Sequence, residues 1–372
     1  MIQWCKNCVL PNTRPNLIIL DNGICNACYF HKKRKKIDWK DKKRILNKIF
    51  YKILRLSKSN YDCLIPVSGG KDSTWQVIEC LKNGLNPLAI TYKTPGRNSY
   101  GDSNLKNLIS LGVDHIDYTI NPKVEAYFML KTLRLKGSTA IPMHLAIFNL
   151  PQIIAEKFNI PLIVWGENSA SEYGGYINIK DAKNSMSDQW IKKYGVTNKT
   201  NHNYWKDHFL NDKKLFAFRQ LKKSNKVLSI FLGEYIKWDP KKILRIVKKS
   251  NFIHPKFPKT GFYNYADIDC NFISIHHYLK WLKFGFTRLF DNLSIEIRNQ
   301  RLSRKQAINI IKKNYNNIKP EKDIEIFCKF TNISLKKFDK ICEKFRDKSI
   351  WKKNKNQKWY IENFLTTDFN WK

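Results

Sequence analysis

Ser68-Gly69-Gly70-Lys71-Asp72-Ser73 decides how this chain is read. An apolar run, Tyr61 to Val67, precedes it and reads as a buried strand. Thr74 to Lys82 follows, with Trp75, Ile78 and Leu81 at helical spacing and Gly84 as a stop signal. The six residues therefore form the turn of a strand–loop–helix unit. Two glycines let the backbone curl free of Cβ clashes. The helix that follows aims free N–H groups and its positive dipole end at the loop. Two serine hydroxyls and a lysine add donors, and the product is a cradle for a phosphate chain. A Walker A loop is excluded, because Ile65 stands where its first glycine belongs and Asp72 follows the lysine. The dinucleotide fingerprint Gly-x-Gly-x-x-Gly is absent too.

Outward from the loop, strand and helix alternate. Pro87 to Tyr92 reads as a second strand, about Ser103 to Leu111 as a helix with Asp102 as N-cap, His115 to Ile120 as a third strand and Pro161 to Trp165 as another, with helical stretches between them. That rhythm predicts an α/β fold, a doubly wound parallel sheet covered on both faces. Ligands of such sheets sit beyond the carboxyl ends of the strands. The loop 68–73, the segment Lys93 to Tyr100 and Gly166-Glu167-Asn168 all fall there. The chain divides into a cysteine ribbon (1–36), the α/β domain (37–180), a polar excursion or flap (181–215) and a helical C-terminal region (216–372). The basic run His31 to Lys36 reads as a solvated linker face. Ser303-Arg304-Lys305-Gln306 is a capping box, and Trp351, Trp359 and Trp371 are expected to dock on the body.

Four of the nine cysteines lie in the first 28 residues as Cys5-x-x-Cys8 and Cys25-x-x-Cys28. Two such knuckles match a tetrahedral Zn²⁺ site with four thiolates and no open position, hence a structural one. An iron–sulfur cluster uses the same ligands, and disulfides need export, for which the N-terminus carries no signal. Cys63, Cys80, Cys270, Cys328 and Cys342 read as core residues. The expected compartment is the cytoplasm; no apolar run reaches the length of a membrane span. Net charge is +37, from 68 basic and 31 acidic residues. Either a polyanion partner or compositional drift toward lysine accounts for it, and the even spread of lysine along the chain favours drift.

Ser68 to Ser73 resembles the PP-loop of the ATP pyrophosphatase superfamily (adenine nucleotide α-hydrolase-like), whose members split ATP between its α- and β-phosphates. Further segments narrow the resemblance. They are Thr91-Tyr92-Lys93-Thr94-Pro95-Gly96-Arg97, Leu111 to Ile116, Val164 to Asn168 with Glu172-Tyr173-Gly174-Gly175, and Leu279 to Phe286 with Arg288, Asp291, Glu296-Ile297-Arg298 and Arg301-Leu302-Ser303-Arg304. With the cysteine knuckles, in this order over roughly residues 1–310, they look like the N-acetyl sugar amidotransferase family of O-antigen and pseudaminic acid biosynthesis. Leu289-Phe290 departs from the more polar pair expected before the aspartate.

That resemblance implies the conversion of a sugar acetamido group to an acetamidino group. ATP adenylates the amide oxygen, and ammonia displaces AMP. The implied cofactors are ATP, Mg²⁺ and Zn²⁺. The implied partner is a glutaminase like the glutamine-hydrolysing subunit of imidazole glycerol phosphate synthase, sometimes with that enzyme's cyclase-like subunit. Ser68, Gly69, Gly70, Lys71 and Ser73 are assigned to pyrophosphate and Asp72 to Mg²⁺. The backbone near Ile90 to Tyr92 is assigned to adenine, and Lys93 and Arg97 to phosphate or, equally, to surface charge. Glu167 and Asn168 are placed on the acetamido group or ammonia, Glu167 as general base; loop capping is the competing role. Glu172, Tyr173, Arg97, Arg288 and Arg298 are assigned to the acceptor, with Arg301 and Arg304 as further clamps; ion pairs with Asp291 and Glu296 account for the arginines nearly as well. His144, His276 and His277 read as structural. A PP-loop tRNA-modifying enzyme is the alternative function, favoured by the basic charge and the ribbon.

Overall fold

The computed structural model describes residues 2–175, 186, 190–191, 202–219, 227–315, 318–366, 369 and 371. Five parallel strands form one sheet: β1 (Cys63–Pro66), β2 (Pro87–Tyr92), β3 (Asp114–Tyr118), β4 (Leu162–Trp165) and β5 (Leu228–Phe231), in the order β3-β2-β1-β4-β5. Side chains alternate strictly between its faces, as the pleat demands. Cys63, Ile65, Ala89, Leu162 and Val164 enter one core. Leu64, Leu88, Ile90, Ile163 and Trp165 enter the other. β1, β2 and β4 are buried on both faces, which is why they read as continuous apolar runs, whereas the edge strand β3 is partly exposed.

Helices α1 (Asn26–Arg34) and α2 (Trp39–Leu56) precede the sheet; α3 (Lys71–Lys82), α4 (Ser99–Ile109), α5 (Pro122–Lys136), α6 (Ile141–Lys157) and the short α7 (Ser169–Tyr173) lie within it. α2, α3 and α4 cover the first face through Leu46, Phe50, Trp75, Leu105 and Leu108. α5 and α6 cover the second through Val124, Phe128, Leu145 and Leu150. The C-terminal helices are α8 (Pro240–Val247), α9 (Phe272–Phe284), α10 (Arg288–Arg298), α11 (Arg304–Asn314), α12 (Glu321–Thr331) and α13 (Leu335–Glu343). Ser303 caps α11 with the reciprocal Gln306 bond expected of a capping box. Trp351 and Trp371 dock against Trp281, with ring centroids 4.9 and 6.4 Å away.

Three features differ from the sequence reading. The sheet has a fifth strand, Leu228–Phe231, where helices alone were expected, so the α/β unit draws on residues beyond 216. α4 begins at Ser99 with Asn98 as N-cap, accepting from the Gly101 N–H at 3.2 Å; Asp102 already lies in its first turn. The basic run contains a working side chain: Arg34 sits 2.8 Å from the Glu172 carboxylate and donates to the Gly233 carbonyl at 3.0 Å. Of the stretch read as a flap, 181–185, 187–189 and 192–201 lie outside the described residues. Its described part packs firmly, with Trp205, Leu210 and Leu215 wholly buried in the second core.

The cysteine ribbon is no separate lobe. Val9, Leu10 and Leu17 share a core with Leu279 and Leu289 of the C-terminal helices and with Phe286 between them. Arg304 draws the knuckle in by donating to the Cys5 and Cys8 carbonyls at 3.2 and 3.1 Å.

Candidate active site

Strand order reverses between β1 and β4, and a doubly wound sheet opens a crevice at such a point. Two segments enter it from the strand ends: Val67–Ser73 after β1 and Gly166–Ser169 after β4. Gly69 has φ +81°, a left-handed conformation that favours glycine. Gly70 is the N-cap position of α3, so Lys71, Asp72 and Ser73 form its first turn. The Ser73 hydroxyl donates to the Gly70 carbonyl at 2.9 Å. Lys71, 5% exposed, pairs with Asp72, and its ammonium lies 5.3 Å from the Trp238 ring centre. The other Asp72 oxygen accepts from the Trp238 indole N–H at 2.9 Å.

The cradle opens into a cavity of about 460 Å³. Tyr92 and Glu167 line it, as do Tyr265 to Cys270 from a loop 200 residues downstream of the cradle. Burial, reinforced by the Asp72 charge, pushes the Glu167 carboxyl up to about 7, the range in which a group gains and releases protons at neutral pH. Burial also raises Asp269. Tyr92 donates its hydroxyl to Glu125, whose carboxyl burial lifts to about 8.

A second cavity, of about 390 Å³, shares Glu167, Ser169, His144 and Asp267 with the first. Tyr173 and Arg288 line it. The Arg288 guanidinium stacks over the Tyr173 ring at 4.8 Å and donates to Asp267 at 3.0 Å. Asp267 holds φ +57°, unusual for a non-glycine residue, and accepts from Thr260 at 3.0 Å as well. Those contacts keep its carboxyl well below the usual range despite burial.

Of the residues assigned from the sequence, Ser68, Gly70, Lys71, Asp72, Ser73, Tyr92, Glu167, Tyr173 and Arg288 line this pair of cavities, and Gly69 shapes the cradle beneath. The others go elsewhere. Arg97 forks onto Asp117 at 2.9 and 3.0 Å, and Lys93 lies 3.8 Å from the same carboxylate. Asn168 caps α7, accepting from the Ala170 N–H at 3.2 Å. Glu172 faces Arg34. Arg298 is 5% exposed, donates to the Glu172 carbonyl at 2.6 Å and sits beside the cysteine cluster. Arg301 forks onto Glu296 at 2.6 and 2.8 Å, the ion-pair reading. Reading the sequence missed Gln76, Ser169, Trp238, Tyr265, Asp267 and Asp269. The acids in Asp267-Ile268-Asp269 alternate beside a tyrosine, a faint signal with no strand or helix to anchor it.

Both cavities thus need the chain beyond Gly233. Residues 233–365 match the family model of the LPS biosynthesis protein WbpG-like C-terminal domain. No curated protein matches the chain. Among solved structures, NMN synthetase from Francisella tularensis aligns at 12% identity over 74% of this chain and 96% of its own, with a TM-score of 0.35. The NH3-dependent NAD synthetase from Campylobacter jejuni aligns at 17% identity over 75% and 95%, TM-score 0.37. A predicted tRNA methyltransferase subunit from Methanocaldococcus jannaschii aligns at 17% identity over 50% and 75%, TM-score 0.27. The sheet order and the cradle carry the fold assignment, not these superpositions. Among the described residues no helix is long and apolar enough to cross a membrane.

The WbpG-like segment also grips the ribbon, through Arg298 and Arg304. Cys5, Cys8, Cys25 and Cys28 are all buried, and their sulfurs lie within 4.8 Å of one another. Cys8 and Cys25 Sγ are 3.7 Å apart. Metal–sulfur bonds of about 2.3 Å give a tetrahedron with edges of about 3.8 Å. A multi-iron cluster would hold its cysteines farther apart. Donors ring the sulfurs: the Cys25 N–H reaches Cys5 Sγ at 3.2 Å, and the Asn7 amide reaches Cys28 Sγ at 3.2 Å. The four residues fit one Zn²⁺. Elemental analysis should find zinc near one per chain, and a strong chelator should lower the melting temperature by several degrees, since such a site contributes folding free energy. Iron with acid-labile sulfide would refute the assignment.

Proposed function

We propose that this chain is an ATP-dependent amidotransferase that turns an N-acetyl group on a sugar into an acetamidino group, in surface polysaccharide or flagellin glycan synthesis, with ammonia from a partner glutaminase. The observation that carries it is the joined pair of cavities: a pyrophosphate cradle on one side, a second compartment on the other, and Glu167 at the junction. The WbpG-like match over residues 233–365 supports the same reading, because that segment supplies part of the walls of both.

The acetamido oxygen attacks the α-phosphorus of ATP. An O–P bond forms, the bridge to the β-phosphorus breaks, and pyrophosphate leaves into the cradle. Ammonia then adds to the imidate carbon, gives up a proton, and AMP departs with the former amide oxygen. Lys71, the Ser73 hydroxyl and the first N–H groups of α3 hold the departing pyrophosphate. Asp72, an oxygen donor facing the cavity, would hold Mg²⁺, which neutralises phosphate charge when bound. Glu167 takes the proton from the attacking ammonia. The four N-terminal cysteines would hold Zn²⁺ away from this chemistry.

The test supplies Mg-ATP, an N-acetylated sugar and ammonium, and reads nucleotide and sugar products. AMP and pyrophosphate should appear, with the sugar exchanging oxygen for an NH group. ADP as the nucleotide product would overturn the proposal. Glutamine should replace ammonium only when the glutaminase is added. At fixed free ammonia, the rate should climb as pH rises through about 7, because Glu167 must be ionised to accept a proton. Glu167→Gln should flatten that limb and lower turnover while leaving ATP binding nearly intact. Unchanged pH dependence in that variant would remove Glu167 from the mechanism.

A further inference from the structure

The second cavity holds four cations: Arg14, Lys280, Lys283 and Arg288. Three of them have a carboxylate in hand. Arg14 lies 2.9 Å from Asp291, Lys280 lies 3.1 Å from the same group, and Arg288 lies 3.0 Å from Asp267. Lys283 differs. Its Nζ donates to the Lys136 carbonyl in the last turn of α5 at 3.3 Å, and it has no carboxylate partner among the described residues. An ammonium carries three donors, so this one bond leaves capacity toward the cavity. Burial pulls Lys283 down to about 8, the mark of a cation held partly out of water without full compensation. His277, 7% exposed, lines the same cavity, and its Nδ1 has no hydrogen-bond partner. Lys283 also lies 5.3 Å from the Phe284 ring centre, and the other nitrogen of His277 lies 3.4 Å from Asp267, but a compartment with four cations, one of them lacking a carboxylate, is arranged for a ligand that brings oxygen atoms and negative charge.

Resting on the amidotransferase reading, we propose that the second cavity is the acceptor compartment and that Lys283 selects acceptors bearing an oxyanion, carboxylate or phosphate, apart from the acetamido group itself. The acetamido end lies at Glu167, where the two cavities meet. The charged end reaches toward Lys283 on α9. The cysteine ribbon takes part directly, because Arg14, Pro15 and Asn16 form a wall of this compartment. Arg14 also donates to the Gly174 carbonyl at 3.0 Å, which ties that wall to the end of α7, the helix that follows the segment carrying Glu167.

A bland role for Lys283 exists as well: an ammonium at the carboxyl end of α5 stabilises that helix whether or not a ligand comes. The experiment separates the two. Calorimetric titrations with the full chain, its nucleotide site filled by a non-hydrolysable ATP analogue, would compare matched probes. N-acetylglucosamine 1-phosphate is set against N-acetylglucosamine for phosphate. N-acetylneuraminate is set against its methyl ester for carboxylate. At least one charged probe should bind about tenfold or more tightly than its neutral partner, the scale of a charge-assisted hydrogen bond in a partly buried site. The pair that shows the gap identifies the oxyanion. Lys283→Met should erase the gap, Lys283→Arg should keep most of it, and binding of the ATP analogue should be unchanged in both. Equal binding of charged and neutral probes, or a gap that survives Lys283→Met, overturns the proposal. AMP formation from a neutral N-acetyl sugar would still uphold the amidotransferase reading in that event, so the two fail separately.

Discussion

Asp72→Ala should abolish AMP formation, by at least on the order of a hundredfold in turnover, the scale seen when one preorganised electrostatic contact to a developing charge is lost. Two effects combine. The carboxylate assigned to the metal–phosphate complex disappears, and Lys71 loses the anion that fixes it at the mouth of the cradle. Asp72→Asn separates them. An amide keeps an oxygen for the Trp238 indole, which now donates at 2.9 Å, but brings no charge. If charge is what matters, Asn should be nearly as inactive as Ala while the melting temperature stays close to that of the parent. Trp238→Phe probes the remaining contact and should cost only severalfold, since it leaves both charges in place. Substantial AMP formation by Asp72→Asn would remove this carboxylate from the chemistry.

Gly69→Ala should be nearly as damaging, for a different reason. At φ +81° a side chain adds about 1–2 kcal/mol of backbone strain. A Cβ there would also lie 2.8 Å from the Gly101 carbonyl oxygen and 2.8 Å from the Leu105 nitrogen, both backbone atoms of α4. Neither can rotate aside, so the loop or the helix must move. A displacement of about 1 Å in a positioning element can cost roughly a hundredfold in rate. Gly70→Ala is the control. Its φ of −74° suits any residue, and its Cβ would meet only the Ser68 hydroxyl, at 3.3 Å. Its melting temperature should stay near the parent value, while Gly69→Ala should melt several degrees lower. Equal behaviour of the two variants would mean that the left-handed turn is not what the cradle depends on.

The contrast between these two glycines marks what sequence reading can reach. The loop declared its shape because strand, turn and helix are consecutive in the chain, and local pattern carries such units. Its two glycines looked alike, however, because what distinguishes them is the backbone of α4. The same limit explains Arg97. A basic residue just past β2 was open to a phosphate role, but the parallel pairing of β2 with β3 sets Thr91 beside Asp117 and brings that carboxylate into reach. The N-cap of α4 moved from Asp102 to Asn98 in the same way: both residues suit a cap, and Asn98 is also held by Asn271, at 3.1 Å, from a distant loop. Val227 to Leu232, apolar but for Ser229, is too short for periodicity to separate strand from helix, so β5 stayed hidden. Asp267 and Asp269 gave only a faint signal because a loop with no repeat of its own delivers them to the cleft.

Arg14 and Asp291, 2.9 Å apart in the folded chain, are 277 residues apart along it. Chains grow at about 5–20 residues per second, so roughly 15–55 s pass between the synthesis of the first and the second. Through that interval the ribbon has emerged, but α9, α10 and α11, which share its core, have not. Its thiols face the cell without the guanidinium of Arg298 beside them or the grip of Arg304 on the knuckle carbonyls. A metal ion captured early would keep four neighbouring thiols from oxidising against one another while the rest of the chain is made. The yield of correctly assembled protein should therefore depend on zinc supply during translation more steeply than the finished molecule depends on zinc afterwards.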